Sequence, residues 1–235
     1  MKVCVLSDIH ANLTALTAVA GHCHEKYGDL SVIHLGDVID YCMRPNETIR
    51  ELRNLQPRML VNIRGNHEMA LFGVEAERFS SPRGRAANDF TRGIIDNEGM
   101  DFIGGMTVGS KVLEIDGRSI LCIHGDAADL YWGKMKDDEM YSDRYRDFDF
   151  VLSGHTHVPH LKYICEKETG RRTVFANPGS VGQPRNCNPN AQYAVVDFEA
   201  MAVSFESVQY DIKLEQSLFT DALHPYYKDR LEKGI

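Results

Sequence analysis

Three short β-rich runs, KVCVLS from residue 2, LSVIHLG from residue 30 and RMLVNI from residue 58, alternate with two segments of helical character. The first of these, NLTALTAVAGHCHEKYG, opens on Asn12 and closes near Gly28, while PNETIRELRNL carries Pro45 at its start. This strand-helix-strand-helix-strand order predicts a layered α/β fold. Residues 82 to 96 make a further helix, interrupted by Gly84 and Gly93. Downstream the pattern changes. KVLEI and RSILCIHG are joined by Asp116-Gly117, a strong hairpin signal, and FDFVLSG is another strand. LKYICEKETGRRTVFANPGS reads as a hairpin turning at Thr169-Gly170, and QYAVVDFEAMAVSFESVQY supplies a last strand pair. The period-2 alternation here favours antiparallel or mixed pairing. The tail is expected to be a helix broken near Pro225.

No linker or repeat divides the 235 residues, so one domain spanning 1 to 235 is expected, with a cap-like helical segment at 75 to 105. Lys and Arg number 26 against 34 Asp and Glu, and the formal charge of -8 disfavours a general nucleic-acid or membrane surface. A local anion site stays open, because bound cations invert the field around them. The six cysteines (4, 23, 42, 122, 165 and 187) form no CxxC pair and read as buried free thiols of a reducing compartment. MKVCVLSDIHAN is too short in apolar length for a signal peptide, and no run approaches membrane-spanning length. A cytoplasmic protein is expected.

The polar residues fall at strand ends. Asp8 and His10 follow the first strand, Asp37 and Asp40 the second, and Asn66 and His67 the third. His124 follows SILCIHG, and His155 and His157 follow FDFVLSG. Any one of them has an ordinary explanation, since Asp caps turns and helices and a lone His is more often a surface or satisfied core residue. Five segments that send histidines and acids to the carboxyl ends of strands would instead build one ligand crevice. Imidazole and carboxylate donors suit Mn, Fe, Co, Ni or Zn, and the lack of clustered cysteines argues against a thiolate site.

DIHAN, GDVIDY, GNHE, HGD and GHTH, in this order, resemble the calcineurin-like metallophosphoesterase superfamily, whose blocks are D-x-H, G-D-x-x-D, G-N-H-[DE], a later His and G-H-x-H. The likeness spans residues 3 to 158. NPGSVGQPR and HPYYKDRLEKG extend it toward the compact bacterial and archaeal branch, which includes dinucleoside polyphosphate hydrolases. The resemblance implies a four-layer α/β/β/α sandwich of two mixed sheets flanked by helices. It also implies two divalent or trivalent transition-metal ions. Asp8, His10 and His157 would hold one, Asn66, His124 and His155 the other, and Asp37 would bridge them. His67 would protonate the leaving oxygen or steady the phosphorus, oriented by Asp40.

The chain departs from the Ser/Thr protein phosphatases, which carry GDxVDRG, by placing Tyr41-Cys42 where they have Arg-Gly. One phosphate-binding arginine is thereby lost; Arg64, Arg44 and Arg185 are the candidate replacements. NPGSVG follows a hairpin strand and lacks the strand-to-helix setting of a nucleotide fingerprint. Phe79, Arg83, Arg85 and Phe90 either overlie the mouth, where a base would stack, or anchor the core, and Tyr131 and Trp132 pose the same choice. The leading expectation is a dinuclear metal-dependent phosphoesterase for a small phosphodiester or nucleotide phosphoanhydride, diadenosine tetraphosphate among them. A phosphomonoesterase or protein-phosphatase-like enzyme is the alternative, and a non-catalytic metal-binding scaffold the rival of another class. The expected partner is a small phosphorylated molecule or nucleotide, without long nucleic acid or membrane, acted on by a monomer or homodimer.

Overall fold

Both faces of the first strand are buried, and that fixes it in the middle of the molecule. The structure, a computed structural model, describes residues 1–55, 58–166 and 170–235. In β1 (Lys2–Leu6), Val3 and Val5 enter one apolar cluster while Cys4 and Leu6 enter another on the opposite face. β1 pairs in parallel with β2 (Ser31–His34), which pairs in parallel with β3 (Met59–Asn62). On its other side β1 is antiparallel to β9 (Ala191–Asp197), and β10 (Ala202–Val208) closes the edge, giving the order β10-β9-β1-β2-β3.

Two helices connect the parallel strands. α1 (Leu13–Tyr27) is capped by Asn12, whose side chain accepts from the Ala15 N–H at 3.1 Å, and ends at Gly28 with φ 74°. α2 (Pro45–Asn54) starts on proline and buries Ile49 and Leu52, three residues apart on one face. α3 (Asn66–Leu71), α4 (Pro82–Ile94) and α5 (Asn97–Gly104) follow β3. α4 runs unbroken through Gly84 and Gly93, started by Pro82 and by the Ser81 cap.

The second sheet also has five strands among the described residues. β4 (Lys111–Ile115) and β5 (Arg118–Cys122) form the expected hairpin, with Asp116 and Gly117 both left-handed as a type I′ turn requires. β6 (Phe150–Leu152) lies in parallel between β5 and β8 (Arg172–Asn177), and β7 (His160–Cys165) is antiparallel to β8. Of the turn expected at Thr169-Gly170, Thr169 lies outside the described residues. Both sheets are therefore mixed.

Their inner faces meet in a core containing Val3, Val5, Ile33, Phe150, Val174 and Val196, with Phe150 edge-to-face on Phe198 at 4.9 Å. Each such buried side chain contributes about 1.5–3 kcal/mol by leaving water. α1, α2 and α5 cover the outer face of the first sheet. On the second sheet, Leu121, Val151 and Phe175 are covered by Met140 and Tyr145, from two short 3-10 turns. The layer order is the expected α/β/β/α.

The remaining expectations need adjustment. The tail forms two short helices, α6 (Ile212–Ser217) and α7 (Pro225–Leu231), and Pro225 starts the second one where a break in one helix was expected. All six thiols are free, but Cys165 and Cys187 are exposed: one is on an edge strand and the other in a surface loop. In the segment 75 to 105, α5 packs into the core on the first sheet and α4 turns Ala87, Asn88 and Thr91 inward.

Candidate metal centre

The loops leaving β1, β2, β3, β5, β6 and β8 converge at one end of the sandwich. Beyond their strands, the first two loops stay zipped together: the amides of Asp8, His10 and Ala11 donate to the carbonyls of Gly36, Asp37 and Val38 at 2.8–3.0 Å. Gly36 and Gly65 are glycine because the loops touch there. A Cβ on Gly65 would lie 2.1 Å from Asp37 Oδ1, and one on Gly36, where φ is +101°, would lie 2.5 Å from Gly65 N. Asp8, His10, Ala11, Asp37, Asp40, Tyr41, His155 and His157 all hold left-handed backbone, with φ between 50° and 71°. That conformation is unfavourable for most L-residues and persists only where surrounding contacts over-determine it. Glu68 supplies such contacts. Its fully buried carboxylate accepts from the amides of Asp37, Val38 and Gly65 at 2.8 Å and of Ile39 at 3.3 Å.

Within this frame two groups of ligand atoms form. His10 Nδ1–H donates to Ile39 O at 2.9 Å, and His157 Nδ1–H donates to Gln183 O at 2.6 Å. Their Nε2 atoms therefore carry lone pairs, yet they face each other at 3.2 Å. Asp8 Oδ1 stands 3.3 Å from His157 Nε2, buried and without a hydrogen-bond partner. Opposed acceptors at that distance fit a cation shared among them.

In the second group, His124 Nδ1–H donates to Leu35 O at 2.7 Å, which aims Nε2 at Asn66 Oδ1 (3.0 Å) and Asp37 Oδ2 (3.2 Å). His155 Nδ1 is 3.0 Å from the same Asn66 oxygen. Asp37 Oδ2 also lies 3.9 Å from His10 Nε2, so Asp37 sits between the two groups. The ligand atoms of Asp8, His10 and His157, and those of Asp37, His124 and His155, each lie within 4.8 Å of one another. The donor set and its spacing fit two transition-metal ions of the N- and O-liganded kind.

The electrostatics agree. Burial holds His10 and His157 well below the ordinary imidazole pKa, helped by the charges of His67 and Arg185. Burial also takes His155 down to about 3, with His124 adding to the effect. Asp8 is pushed up to about 6 by burial, against the pull of His124. His124 moves the other way. Burial disfavours its cation, but Asp37 outweighs that and raises it to about 9, so the Asp37 side of the centre favours positive charge.

His67 also lies within 4.8 Å of the ligand atoms of His10 and Asp37, and differs from the ligands assigned to the two groups in giving its other ring nitrogen to a carboxylate. Its Nδ1 is 2.6 Å from Asp40 Oδ2, while Nε2 points toward Asp37 Oδ2 at 3.9 Å. Burial opposes its protonation, and Asp37 together with the Asp40 hydrogen bond raises its pKa nonetheless. Asn88 on α4, unsuspected from sequence, donates to both Asp40 Oδ2 (2.8 Å) and His67 O (3.1 Å).

A cleft of about 550 Å³ opens onto Asp37, Asn66, His67, His155 and His157. Its rim holds Arg185 and Lys134, and among the described residues neither has a carboxylate within ion-pair distance. The Arg185 guanidinium makes one contact to Gln183 Oε1 at 3.2 Å, and its buried Nε has no partner. Phe79 and Trp132, edge-to-face at 5.3 Å, form an apolar wall there, so these two expected aromatics face the mouth. Phe90 instead joins an apolar cluster with Leu223 and Tyr227. Arg78 also reaches the cleft but is ion-paired with Asp129 and Glu75.

The other two candidate arginines are directed elsewhere. Arg64 donates to the carbonyls of Ile103 (3.0 Å) and Gly104 (2.7 Å), satisfying the end of α5, and covers Phe72. Arg44 forms an ion pair with fully buried Glu215 and donates to Thr14 Oγ1 at 2.6 Å, tying α2 to α6 and α1.

Two neighbouring groups of candidate metal ligands at the end of an α/β/β/α sandwich are the arrangement of a metallophosphoesterase class of site. Residues 1–201 match the model of the calcineurin-like phosphoesterase superfamily domain, and the chain belongs to that family. It is similar to a metallophosphoesterase structure from Sphaerobacter thermophilus, with 29% identity, TM-score 0.78 and all of both chains covered. A structure of a hypothetical protein from Pyrococcus horikoshii OT3 shares the fold at TM-score 0.84 and 21% identity, covering 100% of this chain and 98% of that one. An uncharacterized protein of Methanocaldococcus jannaschii is 27% identical over an alignment of 226 positions that covers 90% of this chain and 88% of that protein. Among the described residues no helix is long and apolar enough to cross a membrane.

Proposed function

We propose that this chain is a dinuclear metal-dependent hydrolase of small phosphodiesters or nucleotide phosphoanhydrides, with diadenosine tetraphosphate as a candidate substrate. The observation that carries the reading is the juxtaposition, in one cleft, of two ligand groups meeting at Asp37 with a histidine held by its own carboxylate. Asp8, His10 and His157 would hold one ion and Asn66, His124 and His155 the other, with Asp37 placed between the two groups. When bound, such a pair lowers the pKa of a water molecule and polarises a phosphoryl oxygen.

The chain's own residues supply the rest. Arg185, which among the described residues has no carboxylate within ion-pair distance, binds a phosphoryl oxygen as a charge-assisted donor. Lys134 meets a second anionic group further along the substrate, and Phe79 with Trp132 gives a planar group an apolar wall. His67 presents Nε2–H to the leaving oxygen while Asp40 holds Nδ1 and stabilises the imidazolium. The cleft's size and aromatic rim favour a small molecule over a phosphoprotein, and Tyr41 in place of an arginine points the same way. The complete set of ligands and the intact His67–Asp40 pair weigh against a purely scaffolding role.

The test is hydrolysis of diadenosine tetraphosphate by metal-stripped protein reloaded with Mn²⁺, beside Asp37→Asn. Cleavage that depends on metal and is lost in the variant supports the reading, and the split into ATP plus AMP or two ADP locates the attacked phosphorus. Protein holding two ions yet inert toward this substrate and toward diester and monoester panels would overturn it.

A further inference from the structure

His67 is packed on its flanks as well as hydrogen-bonded. Tyr41 meets it at 4.6 Å between ring centroids, edge to face, and Phe79 meets it at 5.0 Å. Tyr41 is itself 4.5 Å from the ring of His10. Behind Tyr41 lies Tyr227, nearly parallel at 4.6 Å and 23°. Tyr227 belongs to α7, beyond the residues matched by the family domain, and is buried with Leu223 and Ala87. Tyr41 has left-handed backbone at φ 68°, a conformation that persists only where surrounding contacts hold it.

A single hydrogen bond through Nδ1 leaves an imidazole free to tilt about that contact, and the terminal torsion of histidine is soft. The tilt carries Nε2, the atom that must meet the leaving oxygen. We infer that Tyr227 is a positioning residue for this site: it backs Tyr41, which fixes the tilt of His67, so the C-terminal helix sets the aim of the proton donor. The inference rests on the phosphoesterase reading and adds to it a part played by α7. Removing the Tyr227 ring leaves space into which Tyr41 relaxes, and displacements of about 1 Å at a reacting group cost up to ~10²-fold in rate.

The experiment compares Tyr227→Ala, Tyr227→Phe and wild type, each carrying two metal ions per chain by elemental analysis. Substrates are p-nitrophenyl and alkyl esters of the same phosphoryl group, as monoesters and diesters. Alkyl alcohols leave poorly without a proton, whereas p-nitrophenolate leaves unaided, so a misdirected donor penalises the alkyl ester selectively. The expected result for Tyr227→Ala is a kcat about tenfold or more lower on the alkyl ester and about threefold or less on the p-nitrophenyl ester, with KM within about twofold. Tyr227→Phe, which keeps the ring, restores the alkyl-ester rate. If Tyr227→Ala does not fold, Tyr227→Leu takes its place under the same criteria. Equal losses on both esters, no loss, or a loss confined to KM overturns the positioning role while the wild type remains an active phosphoesterase. A two-metal wild type inert toward every ester overturns this inference, and inertness toward diadenosine tetraphosphate as well overturns the functional reading.

Discussion

Replacing Arg44 by alanine separates a structural role from a substrate-binding one. Arg44 is the partner of Glu215, whose side chain is fully buried; the arginine is itself only 22% exposed. Without it, the Glu215 carboxylate keeps one neutral donor, Thr14 Oγ1 at 2.7 Å, and its Oε1 already lacks a partner. Breaking a buried pair in this way costs about 3–5 kcal/mol, because a charge is left without compensation. For a domain of this size, 1 kcal/mol corresponds to about 2–4 °C, so Tm should fall by about 6–20 °C. The pair itself need not be stabilising. Arg44→Met combined with Glu215→Leu removes both charges, and most of the lost stability should return. Thermal unfolding followed by circular dichroism, with chelator in every sample, keeps differences in metal binding out of the comparison. Below its Tm, metal-loaded Arg44→Ala should retain kcat/KM within about threefold, since the guanidinium faces the α1, α2 and α6 packing. A variant with wild-type Tm and lost activity would refute this reasoning and return Arg44 to the substrate.

Phe150→Ala, at the centre of the inter-sheet core and edge-on to Phe198, should destabilise the protein by about 3–5 kcal/mol, measured by urea unfolding; a loss below about 1 kcal/mol would mean that the two sheets are not tightly packed there. Chelation should lower Tm, and added Mn²⁺ should raise it in proportion to the logarithm of free metal concentration, because the folded loops alone assemble the ligands. A Tm indifferent to both would argue against metal binding at the centre.

Much of this molecule is legible because its signals are local. β1, α1, β2, α2 and β3 announce themselves through caps, Pro45 and apolar runs, and Asp116-Gly117 specifies its hairpin by backbone preference alone. The expected ligands are legible as a set since each follows a strand, and the carboxyl ends of parallel strands within a sheet share an edge. The arginines were not separable in this way: Arg44, Arg64 and Arg185 differ only in what folds against them, namely Glu215, the end of α5 and the open cleft. Asn88 gives no signal in its helix, and the support that His157 receives from Gln183 comes from a backbone carbonyl, to which the side chain's identity is nearly irrelevant. Glu68 was visible as the last letter of GNHE, yet its four amide donors come mostly from a loop about thirty residues earlier.

Five of the seven expected metal ligands, Asp8, His10, Asp37, His155 and His157, sit on left-handed backbone. Asp, Asn and His are also the non-glycine residues that tolerate this conformation best. The alphabet that binds metal and the alphabet that permits these sharp loops thus largely coincide, so one choice of residue meets both demands. It follows that alanine is a poor probe of this centre, since Asp37→Ala removes a proposed ligand and strains its loop together. Asp37→Asn keeps the backbone at ease, and any redesign of the metal preference here has a vocabulary of little more than Asp, Asn, His and Gly.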